Sequence, residues 1–138
     1  MKLVIDANVG IYAIIPERNS AKALQLREDF RNGIHELLAP DLIFLECGNI
    51  LTMAARSGQV SPADLPAAYM DLMINQPIIV PSTSLFPSAF IIASQICVSL
   101  YDAIYLALSR QEGCPLVTYD QKLINAAPGF SFLTLDQI

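Results

Sequence analysis

Five short apolar runs, KLVI, ELLA, PIIV, PLVT and FSFLTL, recur along this chain with helical stretches between them. Runs this short and uninterrupted suit strands covered on both faces, and strand–helix alternation favours parallel neighbours. The pattern predicts an α/β fold with a mainly parallel central sheet. The 138 residues suffice for one domain, 1-138, with a real core, and no linker, repeat or low-complexity segment divides them.

The segments between the strands carry their own punctuation. VGIYAII reads as a short helix stopped by Pro16. Ser20 can cap a second helix that ends near Gly33, with Ala23, Leu24, Leu26, Phe30 and Ile34 roughly at helical spacing. Asp41 can cap a long helix through Ala55, and Gly58 stops it. Ser61-Pro62-Ala63-Asp64 resembles a capping box with proline first in the helix, which runs to about Met73. Ser84 begins a helix in which Pro87 is tolerable only if it lies in the first turn. Tyr101 to Gln111 forms another helix, ended by Gly113, and Asp120 to Ala127 a short last one.

A composition of 54% hydrophobic and 15% charged residues excludes disorder, and so little charge suggests that another chain covers some apolar surface. Helix surfaces through Ile11–Ile15 and Leu65–Met73 are the expected patches for self-association. The apolar runs are far shorter than a membrane span, and the N-terminus lacks the basic and apolar regions of a signal peptide. No membrane and a cytoplasmic location are expected. Cys47, Cys97 and Cys114 form neither a CxxC pair nor a disulfide framework and read as reduced thiols. His35, the sole histidine, reads as a residue beside a strand, so a His/Cys zinc site has no support.

Four carboxylates stand where apolar side chains are expected: Asp6 in KLVIDAN, Glu46 in PDLIFLECGNIL, Asp102 in SLYDAIYLALS and Asp120 in CPLVTYDQKL. A carboxylate in such surroundings is costly unless paired, hydrogen-bonded or bound to metal. Asp6, Asp102 and Asp120 can each be read as a cap or first-turn acid of a following helix. Glu46 cannot, because it lies inside its helix. Leu42, Ile43, Phe44, Leu45, Ile50 and Leu51 surround it, as in a helix buried all round. The alternative places Glu46 on a thin solvent stripe with Asn49 and Met53. Asp6 and Asp120 both follow strands, so both fall at the C-terminal sheet edge where α/β sites form. Asn8 and Asn49 are candidates to orient the carboxylates, and Thr118 to bond one of them or a bound water. Tyr105 reads as core packing with its hydroxyl at the rim. Oxygen ligands alone select Mg²⁺, or Mn²⁺, in one or two ions. The net charge of −5 argues against a broad nucleic-acid surface, but divalent ions on four acids would nearly cancel it.

LVIDAN, PDLIFLECGNIL, SLYDAIYLALS and PLVTYDQKLI, in this order, resemble a PIN domain of the VapC-like toxin ribonuclease group, and the resemblance covers essentially the whole chain. It implies a three-layer α/β/α sandwich and an Mg²⁺- or Mn²⁺-dependent endoribonuclease. Asp6, Glu46, Asp102 and Asp120 would be its catalytic metal ligands, with Asn8, Asn49 and Thr118 beside them. It also implies a dimer, and a small antitoxin that covers the active site. A site near Ala23–Phe30 would hold the antitoxin's apolar segment, and one of its arginines would neutralise the cleft. Lys22, Arg56, Arg110 and Lys122 are the leading RNA contacts, with Arg27, Arg31 and Arg18 also available; all are scattered and read equally well as solvated helix surface.

Three rivals stand beside this reading. A phosphoacceptor domain needs paired acids after strand one, which DAN does not supply. A non-catalytic binding module could keep the acids for stability or docking. A stand-alone nuclease could act on RNA or DNA, although no added segment for gripping branched duplex is evident.

Overall fold

The computed structural model describes residues 1–15 and 20–138. The expected stop at Pro16 and the cation Arg18 lie outside the described residues. Among the described residues the chain alternates β1 (Lys2–Ile5), α1 (Ala7–Tyr12), α2 (Ser20–Arg31), β2 (Glu36–Pro40), α3 (Leu42–Arg56) and α4 (Leu65–Ile74). It continues with β3 (Ile78–Val80), α5 (Ser82–Gln95), α6 (Leu100–Glu112), β4 (Leu116–Val117), α7 (Gln121–Ala126) and β5 (Phe132–Leu133), and a 3₁₀ turn covers Leu135–Gln137.

The strands form one sheet in the order β3-β2-β1-β4-β5, and every adjacent pair is parallel. Side chains alternate across it. Leu3, Ile5, Leu37 and Ala39 enter a core shared with α1, α2 and α3. Val4, Leu38 and Leu116 enter a second core with α5, α6 and α7. These are the three layers of an α/β/α sandwich, as the family resemblance implies, around the parallel sheet that the strand–helix alternation predicts. β1 is the middle strand, with early β2 on one side and late β4 on the other. Chain order therefore reverses beside β1, which creates the crevice at the C-terminal strand ends where α/β proteins bind ligands.

Several local readings change. Asp41 sits at the start of α3 but does not cap it; its carboxylate accepts from the Ser82 backbone N–H at 3.0 Å and from the Ser82 hydroxyl. That ties α3 to α5. Ser61 and Asp64 bond each other within a turn, and α4 starts only at Leu65. α5 starts at Ser82, so Pro87 lies inside the helix and not in its first turn. Its ring removes the bond to the Thr83 carbonyl, but both residues are exposed and water can take that carbonyl. Gly113 ends α6 as expected, in the left-handed conformation at φ 61°.

The expected surface patches divide. Ile11 and Ile15 are buried core residues, and so are Ala23 and Leu26, because α1 and α2 pack directly on the sheet. α4, by contrast, buries no residue fully, and Tyr69, Met70, Met73 and Ile74 are exposed. Leu24 and Ile34 also face outward. α3 is not buried all round: Ile43, Cys47, Leu51 and Ala54 form its inner stripe, while Leu45 is 74% exposed. Among the described residues no single helix is long and apolar enough to cross a membrane.

Candidate active site

Asp6 follows β1 directly and is the N-cap of α1. Its Oδ1 accepts from the Val9 backbone N–H at 2.9 Å. Asp120 repeats this arrangement after β4, capping α7 with Oδ1 against the Leu123 N–H at 3.1 Å. Both aspartates are thus caps, as the local sequence allows. Yet each cap uses one carboxylate oxygen and leaves a second. In Asp6 that second oxygen accepts from Thr118, a residue with no solvent exposure. The Thr118 oxygen also accepts from the Asp120 backbone N–H at 3.1 Å, so one hydroxyl links the ends of β1 and β4.

Asp102 lies in the first turn of α6. Ser99 caps this helix by accepting from the Asp102 N–H at 3.1 Å, and its side chain also bonds the Asp102 carboxylate. Glu46 is half-buried on α3, and its Oε1 accepts from the Tyr105 hydroxyl at 2.7 Å. Tyr105 was expected as packing with its hydroxyl at the rim; it is buried, and that hydroxyl is the partner which Glu46 requires. The signal was present in the sequence, since Tyr105 stands one turn beyond Asp102 on the same side of α6.

The four acids feel one another. Burial raises the Asp6 carboxyl to about 6, and the charges of Glu46 and Asp120 push the same way against the Thr118 and Val9 bonds. Although Asp6 keeps some exposed surface as a residue, its carboxyl group is largely shielded from water. Burial raises Glu46 also; Tyr105 opposes the shift and Asp102 adds to it. Asp102 is raised by burial and then by Asp120. The repulsions link Asp6 to Glu46, Glu46 to Asp102, Asp102 to Asp120 and Asp120 to Asp6. Among the described residues, however, no three His, Cys, Asp or Glu side chains form a ready coordination cluster. Like charges repel; both oxygens of Asp6 are held, by Val9 and Thr118, and one each of Asp120 and Glu46 is held by a cap or by Tyr105.

The donor set fits a hard divalent ion. Every acid at this edge offers oxygen. Cys47, next to Glu46, is buried and donates to the Ala7 carbonyl at 3.6 Å. Burial, then the Glu46 and Asp6 charges, push its thiol up to about 12, so it offers no thiolate. His35 precedes β2, at the opposite edge of the sheet, near Asp29.

Other expected participants stand apart. Asn8 is exposed on the first turn of α1, and the bonds to Asp6 come from Val9 and Thr118 instead. Asn49 is exposed, and its amide points along α3 to the Met53 sulfur at 3.5 Å, not to Glu46. Arg110 stacks on the Phe130 ring at 4.3 Å, about 12 Å along α6 from Asp102. Arg56 is exposed at the far end of α3, about 15 Å along the helix from Glu46. Lys22 pairs with Asp136, Arg27 with Asp71 and Arg31 with Glu28. Lys122 is exposed on the first turn of α7, beside Asp120.

A family model for the PIN domain matches residues 3–128. Ribonuclease VapC3 of Pyrobaculum aerophilum is 31% identical over 130 residues, covering 93% of this chain and 96% of the relative. The fold resembles VapC20 of Mycobacterium tuberculosis, described as a sarcin–ricin loop cleaving toxin, at a TM-score of 0.65 and 15% identity, covering 93% of this chain and 95% of that one. It also resembles a toxin–antitoxin complex from Klebsiella pneumoniae at a TM-score of 0.64 and 19% identity, with 99% of each chain covered. With the family model matching residues 3–128 and a relative at 31% identity covering nearly the whole chain, this chain belongs to the PIN domain family.

Proposed function

We propose that residues 1-138 form one nuclease domain, a metal-dependent endoribonuclease that serves as the toxin of a toxin–antitoxin pair. The observation that carries this reading is the bonding at the switch-point edge: Thr118 joins Asp6 to the Asp120 backbone, and Tyr105, one turn beyond Asp102, holds Glu46. Neutral donors alone leave the acids' negative charges in place, and a cluster of like charges is a feature of functional sites more than of stable cores. The kinship with a ribonuclease along nearly the full chain supports the same conclusion.

In this reading the four acids hold one or two Mg²⁺ or Mn²⁺ ions. When bound, such ions polarise a phosphate and acidify a water for in-line attack. The chain's own part is positioning. Asp6 and Asp120 are anchored through helix caps, and Asp6 through Thr118 as well, so both carboxylates are fixed to rigid elements. Thr118 keeps those two anchors in register. Lys122 is the cation best placed to meet an RNA phosphate next to Asp120.

The antitoxin would cover apolar surface and bring an arginine to the acids, where a bidentate pair would exclude the metal. Its place shifts from Ala23–Phe30, whose apolar members are partly core, to α4. A groove of about 500 Å³ lies between α3 and α4, lined by Phe44, Leu51, Leu65, Tyr69, Leu72 and Met73. Self-association would use a second apolar surface, with Phe86, Phe90 and Ile91 exposed on α5. Cleavage of labelled RNA and DNA pools, with and without Mg²⁺ and with mapped products, tests the activity. RNA cutting that requires the ion and disappears in Asp6→Asn is expected. No cutting of either polymer by the parent protein would leave the binding-module reading in its place.

A further inference from the structure

Tyr105 belongs to α6 and to the core on one face of the sheet, whereas Glu46 belongs to α3, which packs on the other face. The 2.7 Å bond between them therefore joins the two helical layers beyond the C-terminal strand ends. Tyr105 is only 3% exposed, so its ring is held by packing and its hydroxyl has little freedom to wander. Glu46 is the opposite case. It is long, half-buried and repelled by Asp102, and free of restraint it would swing toward water. Asn49, its neighbour on α3, is turned to Met53 and supplies no restraint.

We propose that Tyr105 is a positioning residue that fixes Glu46 as a metal ligand by holding its Oε1. The inference rests on the metal-dependent reading above. A hydroxyl suits this work better than a cation. Arginine or lysine would neutralise the glutamate and compete with the ion, whereas a neutral donor orients the carboxylate and leaves its charge available. The donor also offsets part of the cost of keeping a charged oxygen half-buried beside Asp102.

Tyr105→Phe removes the hydroxyl and keeps the ring. Calorimetric titration of Mn²⁺ into the full chain should show affinity weakened 10–100-fold, a typical loss for a group that orients a metal ligand. RNA cleavage should need more Mn²⁺ to saturate, with kcat at saturation falling less than the apparent metal affinity. In a Glu46→Gln background the same change should alter Mn²⁺ affinity by no more than about twofold, because the two residues act as a unit. Equal loss in both backgrounds, as a general packing defect would produce, overturns the proposal. So does parental affinity in Tyr105→Phe while the parent binds Mn²⁺ and cuts RNA, and that result leaves the nuclease reading intact. A parent that binds no Mn²⁺ removes both. If Tyr105→Phe does not fold, the parent serves: Mn²⁺ should perturb its tyrosine ultraviolet absorption, and Glu46→Gln should lose that signal. Identical difference spectra in the two proteins overturn the assignment.

Discussion

Thr118 donates its hydroxyl proton to Asp6 across a separation of 112 residues in the chain. The same oxygen accepts from the Asp120 N–H, so the ends of two adjacent strands share one buried hydroxyl. Thr118→Val keeps the shape and removes both bonds. The Asp120 N–H and one Asp6 oxygen are then left without this partner, at a cost of about 1–3 kcal/mol in the free protein. Cleavage and metal affinity should fall about 10–100-fold. Denaturant unfolding and Mg²⁺ titration of the variant check the two parts separately.

Asp6 makes the metal-free protein sensitive to pH in an unusual direction. Its carboxyl titrates near 6 when folded, against 3.8 for the ordinary group. The folded state therefore binds its proton more tightly than the unfolded state. The resulting stability is fully present below 3.8 and is lost as pH rises through about 6. The difference corresponds to at most about 3 kcal/mol. Glu46 and Asp102 shift the same way. Melting of the metal-free parent should thus occur at higher temperature at pH 5 than at pH 7.5. Asp6→Asn should melt above the parent at pH 7.5, show a flatter pH profile and cut no RNA. Equal melting temperatures for the two proteins at pH 7.5 would contradict the burial argument.

The cations should differ sharply in their effect on RNA. Lys122→Ala should raise KM severalfold with kcat nearly unchanged, and the effect should shrink as salt is added. Arg110→Ala should leave cleavage alone and cost about 0.5–1 kcal/mol of stability, through loss of its stack on Phe130. Steady-state kinetics at two salt concentrations distinguish them. Equal KM changes in the two variants would mean that RNA reaches the far end of α6.

Arg27 and Asp71 meet at 2.8 Å and join α2 to α4, the helix with no fully buried residue. The pair is partly shielded, so Arg27→Ala should cost about 1 kcal/mol. Its larger effect should be local. Amide exchange of α4 should quicken while that of α6 stays slow, because α6 is held by the second core. Uniform acceleration in both helices would place Arg27 in the global stability of the fold instead.

The parallel sheet was legible because KLVI, ELLA and PIIV are continuous apolar runs and both faces of the sheet are covered. The acids were legible because each interrupted such a run. Helix ends were less so. Asp41 has the chemistry of a cap and spends it on Ser82, a residue brought near only by the fold. Ser61 and Asp64 satisfy each other in a turn before α4 can start. Leu45 made α3 look buried all round, since an exposed apolar residue and a core one are the same letter, whereas Met53 is exposed as the solvent-stripe alternative has it. Tyr105 was visible as a neighbour of Asp102, but its bond to Glu46 depends on how two layers meet, which no local pattern encodes.

The middle position of β1 has a temporal consequence. Asp6 emerges first from the ribosome, but its Thr118 partner and its neighbour Asp120 lie beyond the last long helix of the chain. Until β4 inserts beside β1, the early part of the protein can fold around β2 and still lack one wall of the crevice. A nascent chain of this kind carries Asp6, Glu46 and Asp102 before Thr118 and Asp120 can join them, so the four acids meet only once β4 is in place.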